Sequence, residues 1–250
     1  MRTAQVLRRG AAERLTRIDA ILESAYETSE GELGNKEDPL DEAIYIILSF
    51  QTDLRRFSST WSSLRAAYPT WDAVERAPVR KIASVLREGG LHRQKARTIK
   101  QFLLAVRRFA GGLSLDALRG MNDADAEQIL TRLPGLSWKG ARCVLLYSLQ
   151  RNAFPVDGNT FRVLKRSGIL AAHAVYRRRT SHDAIQAVVP PTRRRSLHVN
   201  LVVHGQRTCL PRYPRCAECG LFSTCPRVGL PRMRMREPMA SRQEEIGRLV

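Results

Sequence analysis

Apolar and polar positions recur at a helical period over most of this 250-residue chain. Leu15, Ile18, Ile21, Leu22 and Tyr26 stand three or four apart, the spacing that gathers side chains on one face of an α-helix. Asp38-Pro39 then offers a capping side chain and a proline at the first helical position. Residues 43–48 (AIYIIL) are apolar on every side, which predicts a buried central helix. Further helices are predicted over residues 61–67, 71–75, 79–87 and 96–110. In the last, Ile99, Leu103, Val106 and Phe109 share a face and Gly111-Gly112 ends it. Helical patterns separated by short Pro/Gly breaks continue to about residue 208, with no strand-type alternation. The expected fold class is all-α.

The sharpest break is Leu133-Pro134-Gly135-Leu136-Ser137, a turn between predicted helices over 125–133 and 138–149. A helix that starts behind such a turn points backbone N–H groups outward, a place for a phosphate. Lys139 falls in the first turn of the second helix, where the positive end of the dipole disfavours another cation. A lowered pKa, and with it nucleophilic character, is expected there. Asp157, in Phe154-Pro155-Val156-Asp157, brings a carboxylate close along the chain. Taken alone, these residues serve equally as an ordinary turn, a solvated lysine and a helix cap.

Charge changes the picture. Against 24 Asp and Glu stand 42 Lys and Arg, a net +18, and only six of the cations are lysines. An arginine-rich excess suits bidentate phosphate contacts and is the footprint of a nucleic-acid binder, although membrane-surface proteins share it. No apolar run approaches the roughly 18 residues of a membrane span, and the basic N-terminus lacks a signal-peptide core, so an intracellular chain is expected. Five cysteines in a reducing compartment then read as metal ligands rather than disulfides. Residues 1–14 are expected to form a basic flexible arm, residues 28–36 a loop, and residues 227–250 a basic mobile tail that adds nonspecific DNA affinity. The arginine triplets at 177–179 and 193–195 are either solvated helix ends or phosphate contacts.

Cys209, Cys216, Cys219 and Cys225 form C-x6-C-x2-C-x5-C, close enough along the chain to surround one centre. Zinc and an iron–sulfur cluster are about equally served by the chemistry alone: zinc favours two C-x2-C pairs, a cubane tolerates longer loops. Cys143, on a mid-chain helix, reads as a small core residue.

The cysteine spacing resembles the cluster loop of the endonuclease III family of helix-hairpin-helix DNA glycosylases. Several further stretches match that family in order: Leu48-Ser49-Phe50-Gln51-Thr52-Asp53, Gly90-Leu91-His92-Arg93-Gln94-Lys95-Ala96, the hairpin 133–139, Val156-Asp157-Gly158-Asn159-Thr160-Phe161-Arg162-Val163, and His204-Gly205. The resemblance covers residues 15–226. It implies a [4Fe–4S] cluster on the four cysteines, Lys139 as the nucleophile and Asp157 as its carboxylate partner. It also implies Gln51 and Leu91 entering DNA, and Gly135, Ser137, Arg212 and Arg215 holding it. Two helical lobes follow, a barrel over 32–151 and a cluster lobe from 15–31 with 152–226, with DNA between them. The implied activity is a monomeric bifunctional glycosylase and abasic-site lyase. It would act on double-stranded DNA with oxidised pyrimidines or abasic sites, with no membrane partner. The alternatives are a mismatch thymine or uracil glycosylase, or a catalytically weak DNA-binding relative.

Three departures from the family pattern bear on that choice. Ser137 replaces a hairpin glycine, Gly158-Asn159 replaces Thr-His, and Phe50 with the shorter run to Asp53 differs from the commonest version. If position 137 demands a positive φ, serine costs on the order of 1 kcal/mol; if only its N–H matters, Ser137 is free to cap the next helix.

Overall fold

A computed structural model describes residues 6–27, 32–52 and 54–231, and it is helical throughout. The α-helices in chain order are α1 (Ala11–Tyr26), α2 (Pro39–Ser49), α3 (Leu54–Ala67), α4 (Trp71–Arg76), α5 (Val79–Val85) and α6 (His92–Ala110). They continue with α7 (Asp123–Arg132), α8 (Trp138–Cys143), α9 (Gly158–Arg166), α10 (Arg179–Val188) and α11 (Arg194–Arg207). Among the described residues no strand forms, and one isolated bridge pairs Leu7 with Leu170.

Local signals set several helix ends. Asp38 Oδ1 accepts from Asp41 N at 2.8 Å ahead of α2, and Asn122 Oδ1 accepts from Asp125 N at 2.9 Å ahead of α7. Gly111 ends α6 at φ 73°, its N–H reaching Arg107 O. Two apolar cores result. One surrounds α2 and takes buried side chains from α3 through α8; the other joins α1, α9, α10 and the cysteine loop. The all-round apolar run of α2 is explained by this position: Ile44, Ile47 and Leu48 are all buried, each contributing roughly 1.5–3 kcal/mol.

Helix α11 belongs to both cores, with Val199, Val202 and Val203 in the first and Leu197 and Leu201 in the second. Buried polar contacts also cross between them. Arg142 of α8 is enclosed and pairs with Glu127 of α7 and with Asp183 of α10.

Several expectations need correction. The basic arm does not extend to residue 14, because Ala11 is buried at the start of α1 and Arg8 N donates to Ile169 O at 3.0 Å. The helix expected over 138–149 changes character: α8 stops at Cys143, and Val144–Ser148 form a wider π-helical turn closed by Leu149 N to Val144 O. The second arginine triplet is half-buried and engaged within the protein. Arg193 grips Asp19 and Glu23 of α1, Arg194 donates to the carbonyls of Gln186, Val189 and Asn152, and Arg195 lies 5.3 Å from the Tyr147 ring centroid. The first five residues of the arm, residues 28–31 of the expected loop and the tail from residue 232 lie outside the described residues.

Candidate active site

The hairpin runs from Leu133 to Ser137 between α7 and α8. Gly135 has φ 87°, a conformation that disfavours any side chain. A Cβ placed there would also meet Thr98 Cγ2 at 2.4 Å. Ser137, by contrast, is extended (φ −104°, ψ 177°), so serine carries no backbone strain, and its side chain makes no cap bond to α8. Both residues are exposed. Lys139 is the second residue of α8.

Asp157 caps α9, its Oδ1 accepting from Thr160 N at 2.7 Å. Its Oδ2 accepts from Asn159 Nδ2 at 3.0 Å. Asn159 in turn accepts from Arg162, which also donates to the carbonyls of Gly205 and Cys209. The departing Asn159 thus orients the carboxylate, and it fits because Gly205 has no side chain: a Cβ there would stand 2.6 Å from Asn159 Cβ. Capping does not remove Asp157 from solvent-facing chemistry. One pocket is lined by Lys139, Cys143, Asp157, Asn159 and His198 together with Asn35, Tyr45 and Phe57.

Electrostatics in this pocket overturn one sequence expectation. Burial, the largest influence on Lys139, pulls its pKa down, but the negative field of Cys143, Asp157 and Glu42 outweighs it, and the pKa lies above the ordinary lysine value. Burial likewise pushes the Cys143 thiol up to about 12. The dipole of a six-residue helix is too small to offset two charges brought in from α2 and α9. Lys139 therefore rests as an ammonium. Asp157 is lowered: burial pushes it up, while His198, Lys139, Thr160 N–H and Asn159 together pull it further down.

Three site features were missed by sequence reasoning. Glu42 is fully buried in α2, accepting from Asn35 Nδ2 at 2.6 Å and Lys36 N at 2.7 Å, although it stands just ahead of the apolar run 43–48 and beside Asp41. His198 shares a 2.6 Å hydrogen bond with the Tyr147 hydroxyl and is held neutral, near pKa 4, by burial. Tyr213 stands 91% exposed between Arg212 and Arg215, both exposed as well.

Gln51 and Leu91 lie away from Lys139, but they share a second depression with Phe50, Lys95 and Gly135. The four cysteine thiols line a third cavity with Arg166 and His204. No three His, Cys, Asp or Glu side chains among the described residues stand close enough to hold a single metal ion. Four cysteine sulfurs gathered on one cavity are a donor set that an iron–sulfur group takes. No described helix is long and apolar enough to cross a membrane.

The profile of the HhH-GPD superfamily of base excision DNA repair proteins matches residues 44–184, more than half of the chain. The chain belongs to that family. Within this HhH-GPD protein the matched span carries the hairpin, Lys139 and Asp157. An Arabidopsis thaliana protein provisionally named a DNA glycosylase is 32% identical over 191 residues, 76% of this chain and 62% of the relative. The chain thus spans less than two thirds of that relative, and only 9% of the rice protein ROS1A. Endonuclease III of Thermotoga maritima is 26% identical over 75% of this chain and 83% of its own. A thermostable thymine-DNA glycosylase and an endonuclease III bound to DNA share the fold, each with a TM-score of 0.71 and 20% identity. They cover 87% and 86% of this chain, and 97% and 95% of their own.

Proposed function

We propose that this protein is a bifunctional DNA glycosylase and abasic-site lyase that acts as an intracellular monomer on double-stranded DNA bearing oxidised pyrimidines. The observation that carries the reading is the pocket lined by both Lys139 and Asp157. Arginines and the hairpin amides of Gly135 and Ser137 hold phosphates and position the duplex without reading its sequence. The target base leaves the stack at a cost of roughly a few kcal/mol, least for a damaged base. Asp157, kept ionised, stabilises positive charge that develops on the sugar as the base departs. Lys139 must lose its proton before its Nζ attacks C1′. The resulting Schiff base then allows β-elimination, in which the proton on C2′ leaves and the 3′ C–O bond to phosphate breaks. Cys209, Cys216, Cys219 and Cys225 would hold a [4Fe–4S] cluster, which supplies a structural staple for the loop that presents Arg212 and Arg215 to DNA.

The reading of a catalytically weak relative rested on Ser137 and Gly158-Asn159. Ser137 occupies unstrained backbone and Asn159 donates to Asp157, so neither change argues against chemistry. The test is a panel of duplexes carrying an oxidised pyrimidine, thymine or uracil opposite guanine, or an abasic site. Excision of the oxidised pyrimidine with strand cutting is expected, with cutting lost in Lys139→Gln. Salt-sensitive binding without turnover on any duplex would overturn the proposal.

A further inference from the structure

Gln51 and Leu91 project from different segments, and both stand in left-handed backbone, at φ 49° and φ 46°. Neither is a glycine, so each conformation persists only where its surroundings fix it. Lys95, in the first turn of α6, touches both segments. It is 3% exposed, and its Nζ donates to Gly89 O at 2.7 Å and to Thr52 Oγ1 at 2.5 Å. Thr52 Oγ1 donates onward to the same Gly89 O at 2.6 Å, closing a triangle. Thr52 directly follows Gln51, and Gly89 precedes Leu91 by two residues. Gly89 is itself packed so tightly that a Cβ would meet Thr60 Oγ1 at 2.6 Å.

Among the described residues no carboxylate pairs with this ammonium, and burial depresses its pKa to about 8. A buried cation whose described partners are a carbonyl and a hydroxyl is an expensive way to fill space, and an apolar side chain would do that better. What the lysine adds is direction: two donors fixed on two loops at once. Above it, Phe50 at 46% and Leu91 at 44% exposure hold apolar surface out to solvent beside Gln51 and the hairpin glycine.

We propose that Lys95 is a positioning residue that locks the Gln51 and Leu91 loops into one rigid unit, so that both side chains enter the duplex together. This rests on the glycosylase reading and extends it to the part that opens the helix. The test uses a duplex with a non-cleavable abasic analogue and fluorescent 2-aminopurine in the neighbouring stack. Wild type is expected to raise the fluorescence several-fold as the bases are parted. Lys95→Met and Thr52→Val should cut that rise at least threefold, and Thr52→Ser, which keeps the hydroxyl, should restore it. Cutting of a true abasic site should show the same defect as a ratio: the duplex rate over the single-strand rate falls at least tenfold in Lys95→Met. If Lys95→Met does not fold, the Thr52 pair decides. Wild-type fluorescence in both Lys95→Met and Thr52→Val, no rescue by serine, or equal losses on duplex and single strand would overturn the clamp. Absence of any rise with wild type would instead remove the duplex-opening reading on which it rests.

Discussion

Replacing Asp157 with asparagine removes a charge while keeping a helix cap, and the geometry gives a size to each effect. Asparagine caps as well as aspartate, so the bond from Thr160 N survives in Asp157→Asn. The new amide group would face Asn159 Nδ2, which now donates to Oδ2, and that mismatch costs about 1 kcal/mol. Asp157→Ala loses the cap and strands both donors, for a cost of about 2 kcal/mol. Activity should not follow that order. Losing one preorganised group aimed at developing charge costs about 3 kcal/mol, on the order of a hundredfold or more in rate, and both variants lose it. The assay pairs urea denaturation with single-turnover excision of an oxidised pyrimidine. Two pH signs go with it. Asp157 is lowered in the fold, so its stabilisation is present above the unfolded carboxylate value and fades as pH falls through its folded pKa; this acid-range loss should vanish in Asp157→Asn. Lys139 is raised partly by Asp157, so its Schiff-base formation at abasic sites should begin at lower pH in the variant. Excision by Asp157→Asn within threefold of wild type, or activity and stability falling in proportion across the two variants, would refute the reasoning.

Other expectations are as direct. Lys95 titrates near 8 in the fold and near 10.5 unfolded, so the folded state binds fewer protons between those values. The penalty for its buried charge is full below pH 8 and lost as pH rises to 10.5. Wild type should therefore gain on Lys95→Met by on the order of 1–3 kcal/mol across that window in urea titrations; a pH-independent difference would contradict it. Gly135→Ala combines a left-handed residue with a Cβ against Thr98 and should cost about 2 kcal/mol, read as a lowered Tm; an unchanged Tm would contradict the hairpin geometry. Purified protein should be coloured and carry about four irons per chain, lost in Cys219→Ser. One zinc per chain would reverse that assignment.

The features legible in the sequence were those set by neighbouring residues. Asp38-Pro39 marked the start of α2, Gly111 the end of α6, and Pro134-Gly135 the hairpin, because caps and turns are decided within a few positions. What escaped depends on distant partners. Glu42 follows Asp41 and Lys95 lies in a basic stretch, so both read as surface charges, and nothing local tells that they are buried with specific acceptors and donors. Helix α11 gave no clear stripe because opposite faces serve two cores. The Arg193–Arg195 triplet seemed a surface feature because α1 and the Tyr147 ring, its partners, are far away along the chain. The charge state of Lys139 was misjudged for the same reason: the local dipole was visible, and the fields of Glu42 and Asp157 required the fold.

The most direct measurement is borohydride trapping on an abasic duplex, followed by proteolysis and mass mapping of the DNA-linked peptide. A single covalent adduct on Lys139, absent in Lys139→Ala, is the predicted result. No adduct with wild type, or an adduct on another amine that persists at full yield in the variant, would contradict the account.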